Sequence, residues 1–72
     1  MKQIYQRISK ILDIIRLERI KKGYSQEYVS EQLQLSQYAY HKIENGKTKL
    51  QLECLLKLCL ILEIDIQMLF SD

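Results

Sequence analysis

The segment Ser25-Gln26-Glu27-Tyr28-Val29-Ser30-Glu31-Gln32-Leu33-Gln34-Leu35-Ser36-Gln37-Tyr38-Ala39-Tyr40-His41-Lys42-Ile43-Glu44-Asn45-Gly46 holds two short helical patterns on either side of Gln34-Leu35. Each pattern is opened by a serine, and the second closes on Asn-Gly. Serine suits a helix N-cap because its side-chain oxygen accepts a backbone N–H that the first turn leaves without a partner. Glycine enters the left-handed conformation that ends a helix at little steric cost. Val29 and Leu33 lie four apart on one face, Tyr40 and Ile43 three apart on the next, and Leu35 sits between. The two helices share one small apolar seam and must cross steeply across so short a turn.

That arrangement is a helix-turn-helix, and it leaves the second helix free to enter a DNA groove. Outward from it, residues 15 to about 70 resemble the phage-repressor/Cro-like (XRE-type) helix-turn-helix family. The matching pieces are Ile15-Arg16 through Arg19, Lys22-Gly23-Tyr24-Ser25-Gln26-Glu27, Leu35-Ser36-Gln37 and Lys42-Ile43-Glu44-Asn45-Gly46-Lys47. Leu55-Leu56-Lys57-Leu58 and Leu62-Glu63-Ile64-Asp65 complete them. Their order and spacing carry the resemblance. It implies an all-α, five-helix, lambda-repressor-like DNA-binding domain with the helix-turn-helix formed by helices 2 and 3.

The 72 residues fit a single domain, 1–72, with an apolar fraction of 47% that is ordinary for a globular chain. With no proline and two glycines there is little turn material for a sheet, so the composition favours helices. The expected helices run from about 4 to 22, 26 to 33, 37 to 44, 51 to 62 and 65 to 70. Ile4, Ile8, Ile11/Leu12 and Ile15 mark the apolar stripe of the first. Ile4 and Tyr5 either lengthen that helix or form an arm.

Charge is polarised along the chain. Residues 1–49 carry ten Lys and Arg against five Asp and Glu, whereas residues 50–72 carry one against four. A basic face toward phosphates, with the acidic end elsewhere, fits that split. Cys54 and Cys59 are five apart, about 500° of helical rotation, and are expected to be reduced packing residues rather than a disulfide or metal pair. No cofactor and no metal are expected. There is one histidine, no glycine-rich phosphate loop and no plausible pair of catalytic carboxylates, so an enzyme is not the expectation.

Helix 3 carries the candidate recognition surface. Tyr40 and Ile43 face inward; Gln37, Tyr38, His41 and Lys42 face outward. Glutamine can pair bidentately with adenine, lysine with guanine, and a tyrosine ring can touch a thymine methyl or a phosphate. The resemblance assigns base reading to Gln37, Tyr38 and Lys42, with His41 beside them. Gln26, Ser36, Asn45, Lys47 and Lys49 are the candidate phosphate contacts. Arg19 falls four residues beyond Ile15, toward the core, where an unpaired charge would be very unfavourable. The family pattern pairs it with Glu44 as a structural ion pair.

Some positions depart from that pattern. Ser30 replaces a usual alanine, Gln34 a usual glycine, and Tyr40 a smaller β-branched residue, while Leu50-Gln51 lacks the usual cap ahead of helix 4. Gln34 is therefore expected at positive φ.

From Leu50 to Phe70, 15 of 21 residues are apolar. Leu52, Leu55, Leu56, Cys59 and Leu62 supply the core stripe of helix 4, with Ile66, Leu69 and Phe70 on helix 5. Leu58, Leu60 and Ile61 are left over, and a helix apolar on all sides is deeply buried or faces a partner. Glu53, Lys57, Glu63 and Asp65 interrupt the run and argue against membrane insertion. The expected dimer interface is Leu58, Ile61, Met68 and Phe70. The expected function is a cytoplasmic, sequence-specific regulator, a repressor, binding double-stranded DNA as a homodimer. The alternatives are an antitoxin-like module or an adaptor of the same fold whose apolar C-terminal surface binds a partner protein.

Overall fold

The computed structural model describes residues 1–71. These form five α-helices, α1 (Lys2–Lys21), α2 (Gln26–Gln32), α3 (Gln37–Glu44), α4 (Leu52–Leu62) and α5 (Ile66–Phe70). The expected helices are all present, with ends differing by one or two residues. At such ends fraying and capping decide the boundary. Ile4 and Tyr5 belong to α1, so the chain has a longer first helix there rather than an arm.

Local chemistry sets the breaks. The Oγ atoms of Ser25 and Ser36 accept the N–H of Tyr28 and Ala39 at 2.9 and 3.0 Å, and the Asp65 carboxylate accepts that of Gln67 at 3.0 Å. The first four helices end in a common device. An N–H two or three residues past the helix reaches back five residues, as from Leu35 to the Ser30 carbonyl at 2.9 Å and from Ile64 to the Cys59 carbonyl at 2.9 Å. The residue before it turns left-handed. Gly23 and Gly46 fill that place at φ 74°, and Gln34 and Glu63 fill it at φ 59° and 55°.

One core joins the helices: Ile11 and Ile15 of α1, Val29 of α2 with Leu33 just past it, Tyr40 of α3, Leu55, Leu58 and Leu62 of α4, then Ile64 and Leu69. Several expectations change here. The stripe of α1 is buried only at Ile11, Leu12 and Ile15, while Ile4 and Ile8 stay 51% and 43% exposed. All of residues 1–10 are exposed, so the helix outruns the protein available to cover it.

In α4 the buried line is Leu55, Leu58 and Leu62 rather than one through Leu52 and Leu56. Leu58 is 1% exposed and so drops out of the expected dimer interface. Leu52, Leu56 and Leu60, four apart, form the outward ridge instead. Ile61 is half-buried against the core, and Met68 and Phe70 remain exposed. Phe70 thus leaves the expected core of helix 5, and Leu69 alone of that helix is fully covered. No helix among the described residues is long and apolar enough to cross a membrane.

Candidate nucleic-acid interface

The position of α3 is fixed from behind. Val29 and Tyr40 are both fully buried where α2 and α3 cross. Ser30, 2% exposed at the same crossing, removes its hydroxyl from the seam by donating to the Glu27 carbonyl at 2.7 Å. A small side chain at this place lets the helices approach, and the internal hydrogen bond satisfies its polarity.

Glu44, the last residue of α3, is buried to 1% exposure at the junction of three helices. Arg19 of α1 donates to both of its oxygens, Nε to Oε2 and Nη2 to Oε1, each at 2.9 Å. The remaining Arg19 nitrogen, Nη1, donates to the Tyr24 carbonyl at 2.8 Å. Gln26 of α2 donates its Nε2 to Glu44 Oε1 at 3.2 Å. Arg16 was not anticipated from the sequence, and it adds a bond from Nη2 to the Glu44 backbone carbonyl at 3.0 Å. Its placement one turn before Arg19 was the available signal.

Burial alone would disfavour the Glu44 carboxylate, but the donors, Arg19 first among them, outweigh it and hold its pKa below the ordinary value. The bond to Glu44 likewise raises the Arg19 pKa against the opposing effect of burial. Tyr40 places its hydroxyl in the same interior without a hydrogen bond of ordinary geometry. Its pKa is driven up, chiefly by burial and then by the adjacent Glu44 carboxylate.

The outer surface of α3 presents Gln37, Tyr38 and His41, which together with Gln26 line one shallow open depression. Lys42 flanks it with its Nζ 4.7 Å from the centroid of the Tyr38 ring, a cation–π contact that couples two side chains read separately in the sequence. Asn45 folds back to donate Nδ2 to the His41 carbonyl at 2.8 Å. Ser36 spends one lone pair on its cap, and a hydroxyl that accepts can still donate. Lys47 and Lys49 are exposed on the loop between α3 and α4. Gln26 sits less freely than its sequence position suggested, half-buried with its amide nitrogen turned inward to Glu44.

Taken together, a buried polar cluster fixes a short helix, and that helix shows water a face of hydrogen-bonding side chains with lysines at its end. No curated protein and no solved structure gives a significant match to the chain. A family model described as a helix-turn-helix domain matches residues 13–72. The chain therefore belongs to the helix-turn-helix domain family, in its phage-repressor/Cro-like form, the DNA-binding type that its paired helices α2 and α3 embody.

Proposed function

We propose that the protein is a sequence-specific regulator of transcription, a repressor that binds a palindromic site on double-stranded DNA as a homodimer. The observation that carries this reading is the outward face of α3, where Gln37, Tyr38, His41 and Lys42 stand together on a helix anchored through Glu44. Gln37 and Lys42 supply the donor and acceptor groups that major-groove base edges can match. Ser36, Asn45, Lys47 and Lys49 grip phosphates on either side, joined by the amide hydrogen of Gln26 that Glu44 leaves free.

Two copies related by a two-fold axis would set their recognition helices about 34 Å apart, one turn of the duplex. The surface for that contact is apolar and C-terminal, built on Ile61, Met68, Phe70 and the ridge Leu52, Leu56 and Leu60. A second reading has its own support. Ile4, Tyr5 and Ile8 expose another apolar stretch on α1, which together with the apolar C-terminal surface offers a face to a partner protein, as in an antitoxin-like module.

The test is a titration of labelled duplex at several salt concentrations, with the protein's mass in solution recorded alongside. The reading expects a dimer and a binding constant whose logarithm falls linearly with log salt. A folded monomer with no affinity for any duplex at low salt would overturn it.

A further inference from the structure

His41 Nδ1 lies 3.3 Å from Gln26 Oε1 and 3.3 Å from Asn45 Nδ2. These neighbours make opposite demands, since a carbonyl oxygen needs a hydrogen on Nδ1 and an amide nitrogen needs a lone pair. The orientation of each amide is fixed by chemistry. Glu44 is a carboxylate that only accepts, so Gln26 turns its nitrogen to Glu44 and its oxygen to the ring. Asn45 turns its nitrogen to the His41 carbonyl, an acceptor as well.

The conflict resolves in favour of Gln26. Asn45 Nδ2 already donates to the His41 carbonyl at 2.8 Å, on an exposed residue that water also reaches. Gln26 is half-buried, and its oxygen would face a second lone pair if Nδ1 carried no hydrogen. Among the described residues, His41 Nε2 has no hydrogen-bond partner, and the ring belongs to the same depression as Gln37 and Tyr38.

We propose that Glu44, acting through Gln26, holds His41 as the Nδ1–H tautomer, so that Nε2 meets DNA as a hydrogen-bond acceptor and reads the amino group of adenine or cytosine. The usual tautomer of a histidine in water carries its hydrogen on Nε2 instead, which would meet acceptors: guanine O6 and N7, thymine O4 or adenine N7. In the major groove adenine N6 and cytosine N4 are the donors, whereas adenine N7, guanine N7 and O6 and thymine O4 are acceptors, so an acceptor at Nε2 can meet only adenine or cytosine. Gln26 and Glu44 are positioning residues in this scheme, and His41 makes the contact.

The first half is tested on the free protein, without DNA. The chain has one histidine, so a long-range nitrogen–proton correlation spectrum of the nitrogen-15-labelled protein at pH 8 reports its ring unambiguously. Nδ1 is expected to carry the hydrogen, with Gln26→Met shifting the ring toward the Nε2–H form. A ring predominantly protonated on Nε2 in the unmodified protein would overturn the proposal.

The second half rests on the DNA-binding reading. With a bound duplex at pH 8, each base pair is changed in turn for the native protein and for His41→Ala. One position should prefer adenine or cytosine with the native protein by 5-fold or more and lose that preference with the variant. A lost preference for guanine or thymine, or no lost preference, would overturn the assignment while leaving DNA binding intact. Failure to bind any duplex would overturn the DNA-binding reading without altering the tautomer result.

Discussion

Arg19 and Glu44, 25 residues apart in sequence, face each other in a two-pronged contact in which both carboxylate oxygens receive a guanidinium N–H at 2.9 Å. The Arg19 side chain is 12% exposed and that of Glu44 is fully covered. The pair ties the end of α3 to α1, so the angle of the outward face depends on it. Removing Arg19 leaves the buried Glu44 carboxylate to the longer contact from the more exposed Arg16, whose Nε lies 3.6 Å from Oε1. Arg19→Ala should therefore destabilise the fold by about 3–5 kcal/mol, a large share of what a small domain possesses. Urea unfolding followed by circular dichroism measures it, and a loss under 1 kcal/mol would show the pair to be incidental.

The same carboxylate predicts an acid limb. Glu44 has a folded-state pKa below its ordinary value of about 4.5. A depressed carboxylate contributes stability that is fully present above the unfolded pKa and disappears as pH falls through the folded one. Stability from this source should thus be flat from pH 8 to about 5 and decline below about 4.5. Glu44→Gln, if it folds, should flatten that decline in a melting series across pH. An unchanged acid limb would assign it to other carboxylates.

Gln34 and Glu63 hold left-handed backbone at φ 59° and 55°, where an L side chain meets its own carbonyl. Replacing either by glycine relieves the strain, which outweighs the entropy that glycine adds to the unfolded chain, for a net gain of about 0.5–1 kcal/mol. The two changes lie in separate turns and should add. A drop in melting temperature for both would contradict the account of these turns.

How much of this was legible in the sequence depends on the kind of signal. The serine caps, the Asn-Gly stop and the positive φ at Gln34 are local events set by a few neighbouring side chains, and the sequence reading found them. Arg19 and Glu44 required a pattern spanning 25 residues, and the family resemblance supplied it. The phase of α4 was misread because nine of its eleven residues are leucine, isoleucine or cysteine at almost every angle. A helix apolar all round carries no period from which to tell the buried line from the exposed one. The inward turn of Gln26 and the reach of Arg16 depend on tertiary neighbours that spacing alone does not reveal.

That misreading gives a sharp contrast. Leu58→Ala removes a covered side chain and should cost about 2–5 kcal/mol of stability. Leu60→Ser alters a residue 81% exposed and should leave monomer stability within about 0.5 kcal/mol. If the ridge serves dimerisation, the same change lowers the dimer fraction in sedimentation. Equal destabilisation by both substitutions would place Leu60 in the core and refute the observed phase.

Phosphate and base contacts separate by their response to salt and sequence. Lys47→Ala should weaken binding to every duplex alike and reduce the salt slope by about one. Gln37→Ala should cost about 1–3 kcal/mol at the preferred site and relax one base preference. Identical behaviour of the two variants in fluorescence anisotropy titrations would collapse the distinction between readers and grips.

Selection of random duplex DNA by the purified protein tests the central claim most directly. The account predicts enrichment of a palindrome whose half-sites are centred about one helical turn apart, 10–10.5 base pairs. Gln37→Ala should lose one position of each half-site. A folded protein that enriches no sequence even at low salt would contradict it, and would turn attention to the apolar surfaces of α1 and α4 as the functional ones.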